Sequence, residues 1–348
     1  MRIAFFINAL EQEYPRYTTT LLAMTAWDRG HDVCYVTPDD FIMRPDDGML
    51  IRAVVPKKKK YKDGVEWIEV IQSKDVPVKT IDITDVDVLM LRNDPSLDAV
   101  DRPWAAQAGI VFGQFAVEQG VIVLNDPDGL SRAQNKLYFQ GFPSEVRTAT
   151  LISKHASEIK DFITKQKGKV IVKPLQGSGG KNVFMLKSTK DENLNQIIEA
   201  LDKEGYIIAQ TYLTEAKQGD IRLFLMNGEP LQRDGKYAAV RRVPAGDDIR
   251  SNMHAKGGAE KVQVTDEHLR VAELVRPKLI RDGMFLVGLD IVGDKILEIN
   301  VFSPGALISA SETQGTSFAD AIIDSIELKV EIRDKARRPF ENRELATY

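Results

Sequence analysis

Residues 288–304 read GLDIVGDKILEINVFSP and place three oxygen-bearing side chains within two otherwise apolar strands. The three are Asp290, Glu298 and Asn300. Burying a lone carboxylate is unfavourable by several kcal/mol unless a cation or a full set of donors compensates it. The alternative is a surface hairpin with ordinary charges, but the continuous apolar run on either side favours burial. The stretch therefore predicts a β-hairpin that holds a cation.

The register of this hairpin decides whether the three side chains meet. Glu298 and Asn300 are two residues apart, so they share one face of a strand. A two-residue turn at Gly293-Asp294 would place Asp290 opposite Leu297, whereas an odd-length turn or a bulge places it opposite Glu298. We predict the odd-length turn or a bulge. A ligand set of oxygens, without His or Cys, is typical of Mg²⁺ or Mn²⁺ and disfavours zinc.

Composition limits the class of protein. A chain of 348 residues is long enough for two or three domains, and 43% hydrophobic with 28% charged residues is typical of a globular protein. A net charge of −4 does not favour a nucleic-acid partner. The single Cys34 excludes an intrachain disulfide and fits a reducing cytoplasm. No apolar run reaches about 18 residues, so we expect no membrane span.

The N-terminal third has the alternation of a doubly wound α/β fold. Residues 3–37 predict a β-α-β unit, and no Gly-x-Gly-x-x-Gly follows the first strand, which argues against a dehydrogenase. A later apolar strand ends at Arg92, at the edge where α/β sheets hold ligands. Arg92 is therefore either an anion contact or an arginine that meets solvent at a strand end.

A glycine-rich turn follows the apolar strand that contains Lys173. The turn comprises Gly177, Ser178, Gly179 and Gly180, and strand-like residues come after it. A Walker or Rossmann loop would need a helix there, so we expect this turn to fold over phosphates from above. Lys173 is then a phosphate contact, although a lysine that extends its ammonium out of an apolar strand is the alternative.

Two further segments carry candidate residues. Asp220 and Arg222 share one face of a predicted strand that ends in an Asn-Gly hairpin signal. The polar segment 245–258, with Arg250, is either a mobile lid or a plain surface loop.

The chemistry that fits these candidates is the handling of ATP. The four histidines are scattered, and no Gly-x-Ser-x-Gly elbow is present, so a nucleophilic triad is not expected. The candidates instead include the groups that hold and polarise phosphates, namely lysines, a glycine turn, arginines and oxygen ligands for a metal.

Several short motifs together resemble the ATP-grasp ligases, and among them most closely the bacterial glutathione synthetases. They occur in the same order as in that family, from Arg92 through Asn125 and Lys136 to Pro304. The motifs that carry the resemblance are Lys173-Pro174, Gly177–Gly180, Gln210–Leu213, Gly219–Arg222, Arg242–Pro244, Gly288–Asp290 and Glu298–Asn300.

The resemblance implies a fold and a domain organisation. It implies an N-terminal doubly wound α/β domain (1–125), a small ATP-grasp lid (126–205) and a C-terminal ATP-grasp α+β domain (206–330). A charged tail (331–348) follows, which we expect to be loosely held. The resemblance also implies a homo-oligomer.

The resemblance implies a role for each candidate residue. The nucleotide-binding set is Lys136, Lys173, Gly177, Ser178, Gly179, Gly180, Gln210, Tyr212, Leu213 and Asp220. The metal set, for two Mg²⁺ or Mn²⁺ ions, is Asp290, Glu298 and Asn300. The catalytic set is Arg222, Arg242 and Asn300, and the substrate set is Arg92, Arg250 and Ser303.

The implied reaction is phosphorylation of a carboxylate by ATP and attack of an amine on the acyl phosphate. γ-Glutamylcysteine and glycine are the expected small-molecule substrates. The sequence departs from the family pattern at Phe302 and over 305–310, and in the segment 8–17. A related ligase with another acid or amine is therefore an alternative, and a non-catalytic ATP-binding regulator is a second.

Overall fold

The computed structural model describes residues 1–166, 169–176, 182–243 and 258–348. Its N-terminal third starts with the expected β-α-β unit. In chain order the elements are β1 Arg2–Phe6, α1 Thr18–Asp28, β2 Asp32–Val36, β3 Phe41–Met43, β4 Met49–Val54, α2 Gly64–Ile71, β5 Val78–Asp82, β6 Val88–Leu91, α3 Pro95–Asp98, α4 Pro103–Glu118, β7 Ile122–Leu124 and α5 Pro127–Arg132.

These strands form one twisted sheet in the order β3-β4-β2-β1-β6-β7, with β5 beside β4. The central strands β1, β2, β6 and β7 are parallel, while β3 to β5 add an antiparallel edge. Ile3 and Phe5 share a core with α1, and Ala4 and Phe6 share one with α4. Helices therefore cover both faces, which confirms the doubly wound arrangement and explains the continuous apolar run of β1.

The carboxyl ends of β1, β6 and β7 lie at one edge of this sheet, and polar residues follow each of them. Asn125, directly after β7, is buried and joins the sheet to the hairpin of residues 286–300. Its Nδ2 donates to the carbonyl oxygens of Leu286 and Val301, and its Oδ1 accepts from the Leu286 N–H at 2.8 Å. The N-terminal sheet is thus attached to the hairpin by a buried amide.

A second, small sheet is antiparallel, in the order β10-β9-β11-β8. Its elements are β8 Thr150–Ser153, α6 Ala156–Gln166, β9 Val170–Pro174, β10 Phe184–Leu186, α7 Leu194–Asp202 and β11 Ile207–Thr211. Apolar residues of α6 and α7 at helical spacing, such as Ile159 and Ile163, form its separate core. A strand does follow the glycine turn, as predicted. Because β11 pairs with β8 and β9, this sheet extends past the boundary predicted at residue 205.

A third sheet, in the order β17-β16-β12-β18-β19, carries the hairpin. The elements after β11 are β12 Asp220–Met226, β13 Glu229–Pro230, β14 Gln232–Arg233, β15 Lys236–Tyr237, β16 Ala239–Val243, β17 Gly258–Glu260, α8 Asp266–Arg281, β18 Leu286–Val292, β19 Lys295–Asn300, α9 Leu307–Gln314, α10 Phe318–Lys335 and α11 Asn342–Ala346. None of the helices in the described ranges combines the length and the apolar character that crossing a membrane requires.

The tail was expected to be loosely held after residue 330, and the structure contradicts this. Helix α10 continues to Lys335, and α11 packs against β7. Asn342 is buried, accepts from the Val123 N–H at 2.8 Å and donates to the Val123 carbonyl at 2.9 Å. Arg333 binds Asp87 at 2.7 Å. Sequence alone suggested a solvated tail because its charges are dense, whereas a few buried groups are enough to attach it.

We predict that Asn342→Ala lowers the free energy of unfolding by about 1 to 3 kcal/mol, because it leaves both backbone groups of Val123 without their buried partner. Chemical denaturation of the purified protein measures this. Glu344→Ala, an exposed position of the same helix, is the control and is expected to change stability by less than about 0.5 kcal/mol. Equal stability of the two variants would contradict the docking of this segment.

Candidate active site

The hairpin of β18 and β19 has the predicted register. Val292 pairs with Lys295 across a two-residue turn whose Gly293 has a φ of +56°. The register then shifts between Ile291 and Asp290, so that Asp290 lies opposite Glu298. The shift is a bulge, one of the two solutions that the sequence predicted, because one extra residue in β19 brings both carboxylates to the same face.

Asp290 is only 2% exposed, and arginines compensate its charge. Arg222 of β12 binds it in a bidentate manner through Nε and Nη2, and Arg242 of β16 binds its Oδ2 at 2.7 Å. Burial alone would raise the pKa of Asp290, but the two guanidinium groups lower it below the ordinary value. The positive charge that a buried carboxylate needs is therefore supplied, at least in part, by these two arginines.

Asp220 completes this cluster on the other side of Arg242. Arg242 Nε donates to Asp220 Oδ1 at 2.7 Å, and both residues are directly paired across β12 and β16. Burial, together with the charge of Asp290, raises the pKa of Asp220 to about 7, although Arg242 opposes the rise. Two carboxylates and two guanidinium groups thus form one buried, nearly neutral network.

Glycine makes part of this network possible. A Cβ at Gly288 would lie 2.9 Å from Cδ of Arg222 and 3.1 Å from Cβ of Pro304, so only glycine lets Arg222 pass between them to Asp290. Arg222 Nη1 also donates to the carbonyl of Gly305 at 3.0 Å. The network is therefore connected to the loop that follows β19.

Glu298 lies on the same face of the hairpin but is exposed, and its charge acts on two half-buried lysines. Burial lowers the pKa of both Lys136 and Lys173, to about 8 for Lys173, although the charge of Glu298 opposes this shift. The backbone N–H of Lys136 donates to the carbonyl of Leu175, directly after β9, at 3.1 Å. Two lysines that are distant in sequence thus feel the charge of one carboxylate of the hairpin.

The predicted nucleotide-binding residues of β11 belong to the small sheet. Gln210 is buried, accepts from Lys173 Nζ at 3.1 Å and donates to Thr150. Tyr212 and Leu213 follow at the end of β11, both half-buried, and Lys169 Nζ lies 5.8 Å from the centre of the Tyr212 ring. Gln210 therefore positions the Lys173 ammonium.

The predicted substrate residues are arranged around the loop after β19. Arg92 is buried, and its Nη2 donates to the Pro304 carbonyl at 3.2 Å, while Ser303 is half-buried beside that proline. Arg92 therefore does not meet solvent, which excludes the second of the two interpretations of this residue. Gly177, Ser178, Gly179, Gly180 and Arg250, with most of the 245–258 loop, lie outside the described residues.

The residues present fit a divalent cation of the hard, oxygen-binding kind. Within the described ranges, no group of three His, Cys, Asp or Glu side chains could hold a metal. The predicted set differs from such a group because its third ligand is the amide of Asn300. Asn300 Nδ2 donates hydrogen bonds to the Gly288 carbonyl and to Asp290, both at 3.3 Å. Its Oδ1 can therefore serve as a ligand to a cation. Three of the four contacts to Asp290 are made by Oδ2, so Oδ1 retains a lone pair.

Sequence reasoning missed the direct pairing of the arginines with Asp290. The available signal was that Asp220 and Arg222 share a face of one strand. What the sequence does not contain is the strand order, which places Arg222 opposite Asp290 and Arg242 opposite Asp220.

The fold is that of the ATP-grasp ligases, and an ATP-grasp domain model matches residues 135–315. The solved structure of the ATP-grasp ligase PsnB, complexed with a phosphomimetic variant of its minimal precursor, Mg and ADP, superposes with a TM-score of 0.59 at 14% identity, over 94% of this chain and 98% of that one. At this identity the likeness shows the fold.

The chain belongs to the prokaryotic glutathione synthetase family. The N-terminal domain of that family matches residues 1–131, and its ATP-grasp domain matches residues 135–315. A glutathione synthetase of Pseudomonas syringae is 30% identical over 96% of this chain and 99% of its own length. One of Brucella melitensis is 33% identical over 90% and 93%. This chain is therefore an ATP-dependent, ADP-forming carbon–nitrogen ligase of glutathione synthesis, which confirms the first of the three functions considered.

Proposed function

We propose that the hairpin and the small sheet hold ATP between them. The exposed Glu298, whose charge raises the pKa of both Lys136 and Lys173, is the observation that carries this proposal. Lysines bind phosphate oxygens as point charges, and a carboxylate beside them can share a divalent cation with the same phosphates. Asp290, Glu298 and Asn300 would hold two Mg²⁺ or Mn²⁺ ions, which supply electrostatic stabilisation of the phosphate charge. Gln210, Tyr212, Leu213 and Asp220 would complete the nucleotide site.

The acid substrate would be γ-glutamylcysteine and the amine would be glycine. Arg222 and Arg242 already share one buried carboxylate, so their remaining N–H groups can stabilise the charge that develops when the substrate carboxylate attacks the terminal phosphate. The acyl phosphate then has a leaving group that the amine displaces, and inorganic phosphate departs. Ser303 and Arg92 would bind the substrate at the loop after β19.

A panel assay tests this proposal for the two substrates. The purified protein is incubated with ATP, Mg²⁺ and a set of acids and amines, and the amide is identified by mass spectrometry. Glutathione formed from γ-glutamylcysteine and glycine supports the proposal. A different amide, or binding of ATP without any ADP release, would contradict it.

The pKa of Lys173 predicts a pH dependence of nucleotide binding. Burial lowers this pKa to about 8, so the ammonium is charged below that pH and loses its charge above it. The affinity of the protein for ATP should therefore fall by up to about tenfold for each pH unit above about 8. Titration calorimetry between pH 7 and pH 10 measures this.

Lys173→Gln should bind ATP more weakly and without this pH dependence. Lys187→Gln, at an exposed lysine after β10, is the control and should behave as the wild-type protein does. A wild-type affinity that stays constant across this range would contradict the role of Lys173.

Four expectations stay predictions: a homo-oligomer, a cytoplasmic location, no nucleic-acid partner and no membrane partner. The closing of the 245–258 loop over the site is also a prediction from the sequence.

A further inference from the structure

A buried carboxylate of the N-terminal domain lies outside the network described above. Glu13, in the connection between β1 and α1, is 7% exposed, and its Oε2 has no hydrogen-bond partner. Burial raises the pKa of Glu13 to about 7, although the charge of Arg92 and the hydroxyl of Thr20 oppose the rise. An interior oxygen without a partner is costly, so its presence calls for an occupant.

The charge of Arg92 acts on this carboxylate and lowers its pKa against the effect of burial. Arg92 is 5% exposed, and its Nε donates to Thr19 at 3.3 Å while its Nη2 donates to Pro304. Within the described part of the chain, no ion pair joins Arg92 to Glu13, although each shifts the pKa of the other. Arg92 binds Thr19 and Glu13 interacts with the adjacent Thr20, so the guanidinium and the carboxylate lie at neighbouring residues of α1 without an ion pair between them.

We propose that Glu13 and Arg92 form the binding site for the α-amino-acid end of the acid substrate. Glu13 accepts hydrogen bonds from its α-ammonium group, and Arg92 binds its α-carboxylate. This inference rests on the proposed function, because the glutamyl part of γ-glutamylcysteine carries both of these groups. The carboxylate of Glu13 is complementary to the α-ammonium group, and the guanidinium of Arg92 is complementary to the α-carboxylate.

The spacing to the reacting end is consistent with this assignment. Arg92 binds the carbonyl of Pro304 and Arg222 binds that of Gly305, the next residue. Consecutive Cα atoms are about 3.8 Å apart, so the two guanidinium groups lie within roughly 10 Å of each other. An extended γ-glutamylcysteine, with about three backbone-like units, spans roughly 10 Å. One end can therefore occupy Glu13 and Arg92 while the other reaches Arg222.

The test compares two substrates and three proteins. The substrates are γ-glutamylcysteine and glutarylcysteine, which lacks only the α-amino group. The proteins are wild type, Glu13→Gln and Glu11→Gln, an exposed glutamate of the same segment that serves as the matched control. Initial rates of ADP release give kcat and KM for each pair.

We expect Glu13→Gln to raise the KM for γ-glutamylcysteine by at least about tenfold, with kcat and the KM values for ATP and glycine changed by less than about twofold. Wild type and Glu11→Gln should use glutarylcysteine at least about tenfold less efficiently than γ-glutamylcysteine, and Glu13→Gln should lose most of this preference. A purely structural role would change all KM values and the melting temperature together.

The inference is overturned if Glu13→Gln retains the wild-type KM and preference for the amino group, since Glu13 then has another partner such as a buried water. If the wild-type protein makes no amide from γ-glutamylcysteine, the proposed function fails first, and this inference fails with it. The two failures are distinguishable because the wild-type protein still makes the amide when only the Glu13 assignment fails.

Discussion

ADP release by the Glu298→Gln protein is expected to be lower by at least about a hundredfold than that of the wild type, with the fold intact. Glu298 is exposed, so its replacement by an amide of the same shape leaves no buried group without a partner. The substitution removes the negative charge that Lys136 and Lys173 share and that a divalent cation would require. Steady-state ADP release, together with thermal melting, measures both parts of this prediction.

Asp294→Asn is the matched control for Glu298→Gln. Asp294 lies in the turn of the same hairpin, where it is exposed and binds only the neighbouring Lys295 among the described residues. This control should retain the wild-type rate within about twofold. A Glu298→Gln protein with near-wild-type turnover would refute the metal and phosphate assignment.

Asp290→Asn should be the most destabilising single substitution at the site. Removal of this charge leaves Arg222 and Arg242 buried with a reduced set of acceptors, and breaking such a buried network typically lowers stability by about 3 to 5 kcal/mol. ADP release should also be lost, because the same side chain orients both arginines. Denaturation by urea measures the stability, with circular dichroism as the signal.

An exposed ion pair supplies the contrast. Arg16 and Glu312 bind each other at 2.6 Å, but their side chains are 62% and 56% exposed. Glu312→Gln should therefore lower stability by less than about 1 kcal/mol and leave the rate unchanged. If the two substitutions had equal effects on stability, Asp290 would not be the centre of a buried network.

The hairpin is the part of the site that sequence reasoning predicted best. Strand periodicity and the cost of a buried carboxylate are local properties, and together they predicted the register of Asp290 and Glu298. The doubly wound N-terminal fold and the strand after the glycine turn followed from equally local patterns.

Long-range contacts could not be predicted in the same way. Arg222 meets Asp290 because of the strand order of the third sheet, and no periodicity contains that order. Asn342 meets Val123 across 219 residues, so the charge density of its surroundings suggested a loose tail instead. Glu13 was not singled out, because only the fold shows that a glutamate in a polar segment is buried.

The direct test of the central claim, that this site activates a carboxylate by phosphorylation for amide formation, is an isotope transfer. γ-Glutamylcysteine labelled with ¹⁸O in both oxygens of the cysteinyl carboxylate is incubated with the wild-type protein, ATP, Mg²⁺ and glycine, and the products are analysed by mass spectrometry. An acyl phosphate requires one labelled oxygen in the inorganic phosphate and one in glutathione. Unlabelled phosphate, or ADP release without glutathione, would contradict the account.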